Sequence, residues 1–146
     1  AIEGEVAATL GLGDFVTGIV ARFDLAQRTL EVRVAGHPPP IIVRDGAAGF
    51  LHPDRPAPPF GLATAGAPVV ARLQPGDMVM LYTDGVVQAR DRMSVFLGAQ
   101  ALADVAATHG DDVSVQATCR RALSRVVDHV RAPLADDATV LALRVA

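Results

Sequence analysis

Two acidic sites, each set against an apolar run, are the residues of this chain best suited to chemistry. Asp84 follows Met-Val-Met-Leu-Tyr at 78–82 and precedes Gly85. Asp136 and Asp137 stand just before a second apolar run at 139–145. A carboxylate fixed at the end of a buried strand is costly without a partner. A hard divalent cation is one such partner, and Mg2+ or Mn2+ sites need few protein carboxylates because they keep several waters. If the two sites meet in space, they form a metal-binding surface at the rim of a sheet. Plainer readings stand beside this one. Asp-Gly is a common turn, and Asp136-Asp137 suits a solvated loop or a helix cap.

Other candidates are weaker. His37, in Gly36-His37-Pro38-Pro39-Pro40, has the chemistry of a general acid or a ligand. The three prolines favour a stiff, shaped loop in which His37 is structural. His52, His109 and His129 have no partner pattern and read as surface residues. Cys119 falls on an apolar helical stripe and reads as a buried structural thiol. The chain has no glycine-rich phosphate loop and no nucleophilic serine elbow.

These residues need elements to hold them. Residues 15–23 and 29–34 alternate apolar and polar, as half-buried strands do, with 24–28 as their hairpin. Asp45-Gly46 between 41–44 and 49–51 is a strong hairpin signal. Residues 52–66 are punctuated by Pro53, Pro56, Pro58 and Pro59 and read as an irregular loop. Residues 69–73 make a short strand, and Gln74-Pro75-Gly76-Asp77 suits a type II turn that pairs 78–82 back onto it. The period then changes. Helices are expected over 97–108 and 113–130, the second capped by Asp112. On it Val115, Cys119, Ala122, Val126 and Val130 share one face. A helix tail is expected over 1–10. Strands in a meander, then helices, then a last strand define an α+β class with antiparallel sheet.

The 146 residues suffice for one domain with a real core. They are 51% apolar but only 4% aromatic, so Val, Leu, Ala and Ile must build that core. A formal charge of -3 argues against nucleic acid, which needs a basic stripe. No run reaches the roughly 20 apolar residues that span a bilayer. One cysteine gives no disulfide framework and fits a reducing cytoplasm.

The motifs also have an order. They run Phe15-Val16-Thr17, Ala35-Gly36-His37-Pro38-Pro39, Pro59-Phe60-Gly61-Leu62, Leu73-Gln74-Pro75-Gly76-Asp77, Tyr82-Thr83-Asp84-Gly85-Val86, Ala89-Arg90 and Asp136-Asp137-Ala138-Thr139. In this order they resemble the sporulation protein E and RsbU branch of the metal-dependent PPM-type serine/threonine phosphatases. The resemblance runs from Asp14 to the C-terminus. It implies an α-β-β-α sandwich of two antiparallel sheets flanked by helices. It implies a Mn2+ or Mg2+ pair whose bridging water attacks a phosphoserine or phosphothreonine. Asp84 and Asp136 match the family's metal ligands, and Asp137 stands beside them as a further metal-site residue. The resemblance also implies a phosphoprotein substrate, a STAS-domain anti-sigma-factor antagonist.

The sequence departs from the family at its start. The Asp-x-Ser-Gly element that carries the metal-bridging aspartate does not occur. Residues 1–146 therefore read as a single, incomplete phosphatase domain lacking its N-terminal strands, inactive alone and prone to pair with a second copy. The alternative is a degenerate, non-catalytic domain that binds a partner or dimerises. A metal-dependent hydrolase of another class has only the two acidic sites behind it.

Overall fold

The alternating and continuous apolar runs become strands, and the 3.6-period stretches become helices. The computed structural model describes residues 5, 9, 11, 13–62, 66–108 and 113–146. Among them the order is β1 (Gly18–Asp24), β2 (Thr29–Ala35), β3 (Ile41–Arg44), β4 (Ala47–Phe50), β5 (Val69–Arg72), β6 (Met78–Tyr82), α1 (Asp84–Val87), α2 (Ala99–Ala107), α3 (Val115–Val130) and β7 (Val140–Arg144). The expected helix tail over 1–10, the cap at Asp112 and His109 lie outside the described residues. No described helix is long and apolar enough to cross a membrane.

The chain divides into two compact units. The first comprises Ala1–Pro39 and Leu51–Leu73. Its sheet is antiparallel in the order β1-β2-β5. The β1–β2 hairpin turns where the Asp24 carboxylate accepts the Gln27 amide at 2.9 Å, and Gly18 faces Ala35 at its open end. Leu30 and Val32 are fully buried on the inner face. The proline-rich segment folds back on this sheet through paired Val16 and Phe60 amides and carbonyls. Gly36 is required at its corner. Its φ is +58°, and a Cβ there would lie 2.6 Å from Pro59 Cγ.

The second unit comprises Pro40–Phe50 and Gln74–Ala146. Its sheet is antiparallel in the order β4-β3-β6-β7. The Asp45-Gly46 hairpin forms as expected, with φ of +50° and +74°, the left-handed pair that a two-residue hairpin loop demands. Helices α2 and α3 cover one face. Ile41, Met78, Met80 and Tyr82 from the sheet meet Leu102, Ala106, Ala122 and Val126 from the helices. Helix α3 starts at Ser114, whose hydroxyl accepts the Ala117 amide. Cys119 on this helix is half-buried, and burial pushes its thiol up, which suits a structural role.

The two antiparallel sheets and the helices make the α+β class expected from the sequence. One pairing differs. The turn at Gln74–Asp77 forms, with Asp77 N donating to Gln74 O at 3.1 Å, but β5 pairs with β2 while β6 lies between β3 and β7. The reason is Asp77. Its side chain is only 1% exposed, and both its oxygens are taken by Arg44 of β3, Nε at 2.9 Å and Nη2 at 2.6 Å. Gly76 N and Asp77 O of the turn also bond Val145, just past β7. Both ties hold β6 in the four-stranded sheet.

Candidate active site

Asp84 and Asp136-Asp137 both lie in the second unit, and three residues between the strand ends bring them together. Strand β6 is the most buried of the described strands, and its register with β7 sets Tyr82 opposite Val140. Thr83 extends that ladder by one step, its amide donating to Thr139 O at 3.0 Å. The Thr83 hydroxyl donates to Asp137 O at 3.0 Å and accepts the Thr139 amide at 2.9 Å. Thr83 is also the residue at the N-cap of α1, yet its side chain makes no cap hydrogen bond. The hydroxyl is spent across the sheet, on the acidic loop.

Gly85 completes the clamp. A Cβ at this position would lie 2.4 Å from Asp137 O and 3.4 Å from Asp136 Cβ. No side chain fits there, so Gly85 is a glycine for space. Asp84 and Asp136 thus flank one backbone contact. Asp84 is half-buried, while Asp136 and Asp137 are exposed. One oxygen of Asp84 accepts the Gly85 amide at 3.1 Å, and one oxygen of Asp136 accepts the Asp137 amide at 2.8 Å. These bonds orient each carboxylate and leave its second oxygen outside any hydrogen bond among the described residues.

Such a donor set fits a hard divalent cation. It offers carboxylate oxygens from two segments on a rigid edge, and Mg2+ or Mn2+ completes its shell with water. Among the described residues no group of three or more His, Cys, Asp or Glu side chains converges as a metal site. Tyr82, the last residue of β6, is buried in the core, and burial pushes its phenol up to about 12.

A cleft of about 300 Å3 opens beside this edge, with Gly85 and Asp136 among its lining residues. Its second wall is a ribbon over residues 88–98, tied by Leu97 N to Ala89 O and Gly98 N to Val87 O, both at 2.9 Å. Asp91 shapes the ribbon's tip by accepting the Met93 and Val95 amides, and those bonds lower its carboxyl below the usual range. His129, expected as a plain surface residue, is instead half-buried, with Nε2 at 2.9 Å from Val95 O. It fastens the ribbon to α3. His37 lies in the other unit. Sequence reasoning missed the parts played by Thr83, Asp77 and the ribbon. The Thr-Asp-Gly string was the available signal for the first.

The fold is that of the PP2C-type phosphatase domains. The SiaA PP2C domain of Pseudomonas aeruginosa superposes with a TM-score of 0.80 at 20% identity, over 97% of this chain and 57% of that one. The phosphatase domain of the Bacillus subtilis cell-fate determinant SpoIIE gives 0.72 at 17%, over 94% and 60%. The RsbU and RsbW domains of a Mycobacterium tuberculosis protein give 0.74 at 28%, over 88% and 35%. The chain thus spans between about a third and three fifths of these structures. No curated protein matches it. The model of the Stage II sporulation protein E (SpoIIE) family matches residues 1–146, and the chain belongs to that family.

Proposed function

We propose that this chain carries part of the metal centre of a cytoplasmic protein serine/threonine phosphatase, as a portion of one phosphatase domain. Asp84 and Asp136 are its metal ligands, and Asp137 supports them from the same loop. Mn2+ or Mg2+, when bound, supplies an activated water and neutralises charge on the phosphoryl group. The chain's own residues hold and orient. Thr83 fixes the acidic loop to the end of β6, and Gly85 lets the two segments touch. The carrying observation is this clamp, which sets carboxylates from two segments on one rigid edge. The substrate class is a phosphoserine or phosphothreonine on a regulatory protein, a STAS-type antagonist.

The test uses the full-length protein that carries this chain. With Mn2+ it should release phosphate from a phosphoserine STAS protein. Asp84→Asn and Asp136→Asn should each weaken Mn2+ binding, read by calorimetry, by roughly tenfold or more. Wild-type protein without activity, or variants with unchanged Mn2+ affinity, would refute the reading and leave the chain as a partner-binding module.

A further inference from the structure

The cleft beside Asp136 holds a cation that the metal chemistry does not use. Arg90 is exposed on the ribbon, and its guanidinium carbon sits 4.4 Å from the centroid of the Phe96 ring. Arg90 and Phe96 are also paired across the base of the ribbon. Stacking on an aromatic face holds a guanidinium in place without consuming its N–H donors. Among the described residues no carboxylate lies within salt-bridge distance of Arg90. Its charge is positioned and uncommitted.

The lining of the cleft says what that charge is for. Of the lining residues Arg90 is the one cation and Asp136 the one anion. Gln88 adds an amide, and Phe96 and Leu134 supply apolar walls. Asp136 taken up as a metal ligand leaves the cleft with net positive character. That combination fits a phosphoryl dianion, which Arg recognises through paired N–H donors. The ribbon is also stiff, since the Asp91 turn and the His129 contact fix its tip. An anion bound there meets a preformed site.

We propose that Arg90, held on Phe96, is the residue that grips the phosphoryl group of the substrate beside the metal edge. This rests on the phosphatase reading and adds a positioning residue to it. The planar fork matters as well as the charge, so lysine is a poor replacement.

The experiment uses the full-length protein loaded with Mn2+. Binding of inorganic phosphate is measured by calorimetry, and Mn2+ affinity and thermal unfolding are measured alongside. Arg90→Ala should weaken phosphate binding roughly ten- to a hundredfold, with Mn2+ affinity unchanged. Arg90→Lys should recover only part of the loss. Phe96→Leu keeps the guanidinium and removes its platform, so it should fall between Arg90→Ala and wild type. If Arg90→Ala fails to fold, Phe96→Leu decides by the same readout. Unchanged phosphate binding in the folded variants overturns the proposal. So does a loss seen only with an acidic phosphopeptide and not with inorganic phosphate, which would assign Arg90 to a flanking carboxylate. A wild-type protein that neither binds phosphate nor cleaves a phosphopeptide, matched by Asp84→Asn, would bring down the phosphatase reading and this inference with it. A wild type that does both, matched by Arg90→Ala, would bring down this inference alone.

Discussion

Replacing Gly85 with alanine separates the site from the fold. The added Cβ would lie 2.4 Å from Asp137 O. Unbonded carbon and oxygen settle about 1 Å further apart than that, so the acidic loop must retreat by a similar distance. Backbone cannot swing aside as a side chain can. A retreat of that size stretches the Thr83 Oγ1 to Asp137 O bond, now 3.0 Å, beyond hydrogen-bonding range. Displacing reacting groups by about 1 Å costs on the order of a hundredfold in rate. Stability should respond less. Overpacking costs about 1–3 kcal/mol, and Ala in the helical turn of α1 returns up to about 1 kcal/mol over Gly. Gly85→Ala in the full-length protein should therefore lose roughly a hundredfold in kcat/KM with Mn2+ present, and at most about 2–3 kcal/mol by urea denaturation. Wild-type kcat/KM in a folded variant would refute the claim that this contact sets the acids.

Two further outcomes concern the scaffold. Asp77 is held by Arg44, and that guanidinium keeps its carboxyl below the usual carboxylate range. A depressed folded-state pKa stabilises above the unfolded value and is lost as pH falls through the folded one. Asp77→Asn should thus cost about 2 kcal/mol at pH 7 and flatten the loss of stability below about pH 4, as read by chemical denaturation across pH. Ser114→Ala removes the cap of α3 and should cost about 1 kcal/mol, with Mn2+ affinity unchanged. A larger loss, or a change in metal binding, would mean that α3 is coupled to the acidic edge.

Particular residues show where sequence reading ran out. The buried run at 78–82 and its acid were legible because a continuous apolar stretch ending in Asp-Gly is a local signal. The hairpin at Asp45-Gly46 was legible for the same reason. The partner of β6 was not. Turn chemistry at Gln74–Asp77 fixes a local bend, but Arg44, 33 positions away, decides which sheet the strand enters. Gly85 was legible as a turn glycine. Its actual constraint is the Asp137 carbonyl, and no local pattern reports a close approach between segments that far apart. His129 looked solitary because its partner is a backbone oxygen, and backbone leaves no mark on the sequence.

The same clamp explains why the edge is stiff. A threonine at an N-cap ordinarily satisfies its own helix, and an effective cap is worth about 1 kcal/mol. Thr83 gives that up. Its hydroxyl instead makes two bonds to the loop that carries Asp136 and Asp137 and leads into β7. The acidic loop is thereby an extension of the β6–β7 ladder, anchored in the best-packed part of the sheet. The ribbon bearing Arg90 leaves the other end of α1 and is fastened to α3 by His129. Both walls of the cleft are thus fixed by elements that share one core. On the proposed reading, a metal edge and an anion grip built this way would keep their spacing without a ligand, the preorganisation that electrostatic catalysis of phosphoryl transfer demands.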